Sequence, residues 1–132
     1  IKESLDDTKH RGYDAQLVYE DGDTNLGHNR LSIQDLSENA NQPMSSLQSE
    51  SILMFNGEIY NHSALRDMLV KNGKKFKTKN SDTEVILNGL DHFGVKFINQ
   101  LRGQFSIAYL NKITKKFQQL LTIALLKAFR TR

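Results

Sequence analysis

Three kinds of chemistry sit at short spacing in this sequence: a guanidinium, an amide beside a glycine, and two acids. The guanidinium is Arg30, inside Gly27-His28-Asn29-Arg30-Leu31-Ser32-Ile33. The amide is Asn56, followed by Gly57 and the first acid, Glu58, in Phe55-Asn56-Gly57-Glu58-Ile59-Tyr60-Asn61. The second acid is Asp82, in Ser81-Asp82-Thr83-Glu84-Val85, and His10-Arg11-Gly12-Tyr13-Asp14 precedes all three blocks. A guanidinium matches a carboxylate through two parallel hydrogen bonds. An asparagine amide with a neighbouring backbone N–H makes an oxyanion hole, where two donors meet the oxygen that turns negative when an amide is attacked. A nearby Asp or Glu suits an ammonium. Together these groups describe a pocket for a free amino acid whose side-chain amide is hydrolysed. Each has a plainer alternative: Arg30 as a salt-bridged strand residue, Asn56-Gly57 as an ordinary turn with Glu58 beside it, Asp82 as a helix N-cap. His10 and Arg11 read as ties that hold a loop ahead of the sheet.

Periodicity shows which elements would carry these groups. Ala15 to Glu20 alternates weakly into Asp21-Gly22-Asp23, a strand entering a turn, and Leu26 to Ile33 returns. Residues 35–51 are polar and irregular around Gln42-Pro43-Met44, a loop. Ser51-Ile52-Leu53-Met54-Phe55 is an apolar run of strand length, predicted to end at Asn56-Gly57 with its polar groups at the mouth of a sheet. Asn61 or Ser63 caps a helix through Lys71, with Leu65, Met68 and Leu69 on one face and Asn72-Gly73 as its stop. Ser81 or Asp82 caps a second helix that turns Val85, Ile86, Leu87 and Leu90 inward, and Ser81 to Glu84 fits a capping box. After Gly94 a short helix leans on Val95, Phe97, Ile98 and Leu101; Gln104 to Leu110 then alternates as a strand, with Phe105, Ile107 and Tyr109 on one side. This order predicts a mixed α/β fold with an antiparallel sheet. Phe117, Leu120, Leu121, Ala124, Leu125 and Ala128 form a helical stripe flanked by Lys127 and Arg130. Such a basic amphipathic helix suits a membrane or a partner, and a strand or helix packed on the core fits equally well.

A chain of 132 residues and 15.1 kDa, 38% hydrophobic and 25% charged, has room for one domain with a modest core. It holds no cysteine, which excludes a disulfide, a thiolate zinc site and a catalytic thiol within these residues. The histidines, at 10, 28, 62 and 92, never fall three to five apart, so no helical pair offers a metal site. The net charge of +3 is unevenly spread: residues 1–111 carry 12 Lys and Arg against 15 Asp and Glu, whereas 112–132 carry six basic residues and no acid. The body is therefore mildly acidic, and no nucleic-acid partner is expected. Lys71, Lys74, Lys75, Lys77 and Lys79 have only Phe76 as an aromatic companion and read as a solvated loop. No apolar stretch is long enough to span a bilayer and no signal peptide opens the chain. The expectation is a soluble cytoplasmic protein with no membrane partner.

The order and wording of the blocks resemble the glutamine amidotransferase domain of the class II, N-terminal-nucleophile type, as found at the front of asparagine synthetases. The likeness runs from about His10 to Asn111. It also takes in Gln42-Pro43-Met44 and Leu101-Arg102-Gly103-Gln104-Phe105. Asn56-Gly57-Glu58-Ile59-Tyr60-Asn61, with Leu31-Ser32-Ile33 upstream, is similar to asparagine synthetases more than to other amidotransferases of this class. The resemblance implies a four-layer αββα sandwich of the Ntn-hydrolase type with antiparallel sheets, here lacking its first strand. Residues 1–111 would be the domain and 112–132 a divergent basic tail.

The resemblance also implies roles. Arg30 would bind the glutamine α-carboxylate, and the main chain of Leu31 and Ile33 would line the site. Asn56 and Gly57 would form the oxyanion hole; Glu58 and Asp82 would hold the α-amino group. In such families an N-terminal cysteine, with its own α-amine as base, attacks the side-chain amide. The ammonia released passes to an ATP-dependent synthetase domain that amidates aspartate. No cofactor or metal is implied in this chain; ATP and magnesium belong to the synthetase domain. The implied partners are glutamine and either that domain or a second copy of the chain. The departures are the missing cysteine, Tyr13 where proline is usual, Asn29 for a common arginine, and loss of the family pattern from Phe117, which fits a reading-frame slip or a truncated gene. The expected role is thus the glutaminase domain of an asparagine synthetase-like enzyme, inactive in this chain for want of the nucleophile. The alternative is a non-catalytic module that binds glutamine or a partner through the same pocket.

Overall fold

The structure is a computed structural model that describes residues 1–22, 24–30, 38–114 and, as backbone, 116–122. The described residues form two antiparallel sheets. Strands β1 (Ala15–Asp21) and β2 (Thr24–Arg30) pair as a hairpin, from Ala15 opposite Arg30 to Asp21 opposite Thr24. Strands β3 (Met44–Ser45), β4 (Ser51–Ile59), β5 (Gly103–Asn111) and β6 (Lys116–Thr122) form the second sheet in that order. The mixed α/β expectation with antiparallel sheets therefore holds.

Helices α2 (His62–Lys71) and α3 (Asp82–Phe93) cover one face of the four-stranded sheet. On that face Leu53, Phe55 and Ile59 of β4 and Phe105, Ile107 and Tyr109 of β5 meet Leu65 and Leu69 of α2 and Val85, Ile86 and Leu90 of α3. Side chains alternate along a strand, so Ile52 points to the opposite face from Leu53. Both are buried, at 1% and 0% exposure. The sheet is thus covered on both sides where β4 is most apolar, and burying each such side chain contributes roughly 1.5–3 kcal/mol. The two sheets are linked at one corner by Lys112, whose ammonium lies 3.5 Å from the Asp21 carboxylate and 4.9 Å from the Tyr19 ring.

Several local expectations change once tertiary contacts act. Strand β4 does not stop at Asn56-Gly57; it stays paired with β5 as far as Ile59 opposite Gly103. Asn61 is the N-cap residue of α2, yet its side chain donates to the Gln100 carbonyl and accepts from Arg102 N–H, both at 2.9 Å. At α3 only half of the capping box forms. Ser81 Oγ accepts from Glu84 N–H, but the Glu84 carboxylate turns away to take the backbone N–H groups of Lys77 and Thr78, at 2.7 and 2.8 Å. An unforeseen helix, α1 (Lys2–Asp7), docks on β2 by placing Leu5 against Gly27, and Asn29 Nδ2 donates to the Leu5 carbonyl at 2.6 Å. Of the readings open for the stretch from Phe117, the strand is the one that forms: the backbone of 116–122 is β6, paired with β5 from Phe105 opposite Thr122 to Asn111 opposite Lys116.

Asp91, near the end of α3, gathers the β3–β4 connection. Its carboxylate accepts from the hydroxyls of Ser46, Ser49, Ser51 and Tyr109. Burial, and then the charge of Asp91, push the Tyr109 phenol above its ordinary pKa. No helix among the described residues is long and apolar enough to cross a membrane.

Gly89 sets two effects against each other. Alanine in a helix interior is favoured over glycine by about 0.5–1 kcal/mol. A Cβ at Gly89, however, would stand 2.0 Å from the ring of Phe97, which is fully buried. Overpacking of that kind costs about 1–3 kcal/mol, so it wins. Gly89→Ala is expected to lower the urea-unfolding free energy by about 1–2 kcal/mol; a variant as stable as the parent would contradict this packing.

Candidate active site

One cavity, of about 350 Å³, opens between the end of β2, the exposed part of β4 and the N-terminus of α3. The size suits a small-molecule site. Arg30, Asn56, Gly57, Glu58 and Asp82 all line it. Leu31 and Ile33, expected to contribute main chain, lie outside the described residues.

Each group is brought to the cavity by its element. Arg30 closes β2 at 8% exposure, and its guanidinium donates to Asn41 Oδ1 at 2.5 Å. In β4 a largely buried stretch through Phe55 gives way to the exposed triplet Asn56, Gly57 and Glu58 before Ile59 is buried again. Asp82 is the first residue of α3, after the N-cap Ser81. Its Oδ2 accepts from the Ile59 N–H at 3.2 Å, which ties the helix N-terminus to the strand end. The plain alternative of Asp82 as N-cap is thus taken by Ser81, and that of Asn56-Gly57 as a turn by a continuing strand.

Two shifted ionisations shape the cavity. Burial raises the Asp82 pKa above its ordinary value, against the pull of the Ile59 and Thr83 backbone N–H groups and of His62. The N-terminal end of α3 also favours the carboxylate. Burial lowers the pKa of His28, which also lines the cavity; the Phe55 backbone opposes that shift and the Arg30 charge adds to it. The ring is therefore neutral at neutral pH. With Arg11 also on the wall, two cations and two carboxylates face one space beside an amide and a glycine. That set is complementary to an amino-acid zwitterion with a polar side chain.

Residues without an assigned role in the sequence reading also line the cavity: Arg11, which read as a loop tie, and His28, Asn29, Gln42 and Thr83. Gln42-Pro43-Met44 stood out as a motif, but nothing local shows that the Gln42 side chain reaches the strand and the helix. Among the described residues no group of three or more His, Cys, Asp or Glu could hold a metal ion.

A family model described as a glutamine amidotransferase domain matches residues 1–121. The chain belongs to that family. It is 39% identical over 109 residues to a probable glutamine-hydrolysing asparagine synthetase of Dictyostelium discoideum, covering 83% of this chain and 19% of that protein. It is also 39% identical over 106 residues to the amidase chyE of Penicillium rubens, covering 80% of this chain and 16% of that one. The chain thus spans less than a fifth of the length of these curated relatives. Among solved structures it is similar to a glutamine phosphoribosylpyrophosphate amidotransferase from B. subtilis. The TM-score is 0.65 at 21% identity, covering 81% of this chain and 31% of that one. That likeness shows that the two chains share a fold over the matched part.

The raised pKa of Asp82 in this amidotransferase domain has a sign that can be checked. A carboxyl whose folded pKa lies above its unfolded value binds a proton more tightly when folded. Its ionisation therefore costs stability, beginning near the ordinary carboxyl pKa and complete above the raised one. Asp82→Asn, whose Oδ1 can still accept from Ile59 N–H, is expected to be more stable than the parent at pH 7. The advantage should fade on acidification through that window. Unfolding curves between pH 3 and 8 test it; an advantage that grows as pH falls would contradict the assignment.

Proposed function

We propose that the cavity binds free glutamine, as the glutaminase part of a larger asparagine synthetase-like enzyme. The observation that carries this reading is the convergence of Arg30, Asn56-Gly57, Glu58 and Asp82 on one cavity. In the bound state the Arg30 guanidinium takes the α-carboxylate, and Glu58 and Asp82 take the α-ammonium. The side-chain carbonyl then lies between the Asn56 amide and the Gly57 N–H. These two donors stabilise the oxyanion formed when a nucleophile attacks the amide carbon. Ammonia leaves, and in the larger enzyme it is consumed by ATP-dependent amidation of aspartate, with ATP and magnesium held by the synthetase part. Family membership and the relatives named as glutamine-hydrolysing synthetases support glutamine as substrate. We place this chemistry in the cytoplasm, with the synthetase part or a second copy of the chain as protein partner.

A second reading, a module that binds glutamine without turning it over, is favoured for the isolated polypeptide because these 132 residues hold no cysteine. Calorimetry with ammonia detection on this polypeptide tests both readings. Glutamine is expected to bind saturably and to release no ammonia above background. Arg30→Ala should weaken binding by at least about 30-fold, since truncating one partner of a buried, hydrogen-bonded charge pair costs roughly 2 kcal/mol or more. Absence of saturable binding by the parent would overturn the glutamine reading, and ammonia release would overturn the second reading.

A further inference from the structure

Strand β3 is two residues long, and its pairing with β4 ends at Met44 opposite Leu53. Two residues further on, the Phe55 N–H is served by a side chain: Gln42 Oε1 accepts it at 2.5 Å, in a buried bond. The other end of the same amide, Nε2, donates to Thr83 Oγ1 at 3.3 Å, also buried. Gln42 is 7% exposed and lines the cavity. Its partners are the immediate neighbours of two site groups, since Phe55 precedes Asn56 and Thr83 follows Asp82.

We infer that Gln42 is a positioning residue for the glutamine site, holding the amide–glycine corner of β4 at a set distance from the carboxylate corner of α3. The inference rests on the glutamine reading above. A carboxamide is planar, with one acceptor and one donor end at fixed separation, so a bond at each end fixes the gap between strand and helix. A ligand that reaches only one corner has little need of that gap. Glutamine, which must place its α-ammonium at Asp82 and its side-chain carbonyl at Asn56-Gly57 together, depends on it. The Phe55 N–H has a further claim on this side chain, because a buried donor left unmade is costly.

The test compares two ligands on the full chain by calorimetry. Glutamine reaches both corners. Norvaline has the same α-carboxylate and α-ammonium on a chain without the terminal amide, and so makes no demand on the Asn56-Gly57 donors. Gln42→Met removes both bonds of the bridge; Thr83→Val breaks the helix end and leaves the Gln42–Phe55 bond in place, so it serves where Gln42→Met does not fold. Each variant is expected to lower the glutamine-to-norvaline affinity ratio about tenfold, the size of one net hydrogen bond. Norvaline affinity should change less than about twofold, well under the weight of a hydrogen bond. A folded variant that keeps the parent ratio, or loses both ligands in parallel, overturns the positioning role. A parent that fails to bind glutamine removes the glutamine reading, and this inference with it; a parent that binds while its variants keep the ratio removes only this inference.

Discussion

At Gly57 strand β4 runs so close to β5 that an ideal Cβ would stand 2.0 Å from the Gln104 carbonyl oxygen, and φ is +145°. An L side chain is excluded there twice, by the clash and by the backbone conformation. The approach is mutual, because a Cβ at Gly103 would stand 2.0 Å from the Glu58 carbonyl oxygen. With glycine at both positions the ladder carries on past the cavity. Asn56 and Glu58 stay exposed within it, and Ile59 returns to the core at 0% exposure. Only then is the Ile59 N–H in place to meet the Asp82 carboxylate and join the strand to α3. At this junction two backbones approach closer than any side chain would permit, and the exposed triplet that results lines the cavity.

Around that junction, burial and local fields set the charge of the ionisable groups. Asp82 is held at the start of a helix, where the dipole favours its negative charge, while burial works against it. A ligand ammonium would relieve that burial penalty, which makes the carboxylate a better receptor for a cation than its stability alone would suggest. His28, kept neutral by burial and by Arg30, adds no positive charge to compete with Arg30 for a carboxylate. Two further polar side chains on the wall are tied into the frame: Gln42 to β4 and α3, and Asn29 to α1.

What could be read beforehand was local. The apolar run from Ile52 to Phe55, the Ser81 cap of α3, the Asn72-Gly73 stop of α2 and the alternation of Phe105, Ile107 and Tyr109 each depend on neighbours in the chain, and each stands in the structure. What was misread depends on distant residues. Asn56-Gly57 is a turn signal in sequence, but a partner strand from residue 103 onward keeps it extended. Glu84 has the spacing for a reciprocal cap and is drawn instead to the backbone at 77–78. The stripe from Phe117 fits an amphipathic helix or a packed strand equally well in sequence, and pairing with β5 decides for a strand over 116–122. The convergence of Arg30, Asn56, Gly57, Glu58 and Asp82 was legible through motif order, since no spacing rule brings residues 30, 56 and 82 together. The Gln42 bridge left no local signal at all.

The central claim, that glutamine occupies this cavity and bridges its corners, is tested most directly by a glutamine titration followed by nuclear magnetic resonance of the ¹⁵N-labelled chain. The account predicts saturable shifts at the Gly57 amide, the Asn56 side-chain NH₂ and the Arg30 Nε–H, all on one binding curve. Shifts confined to the lysine-rich loop at 71–79, or saturation at Arg30 with Asn56 and Gly57 unmoved, would contradict it.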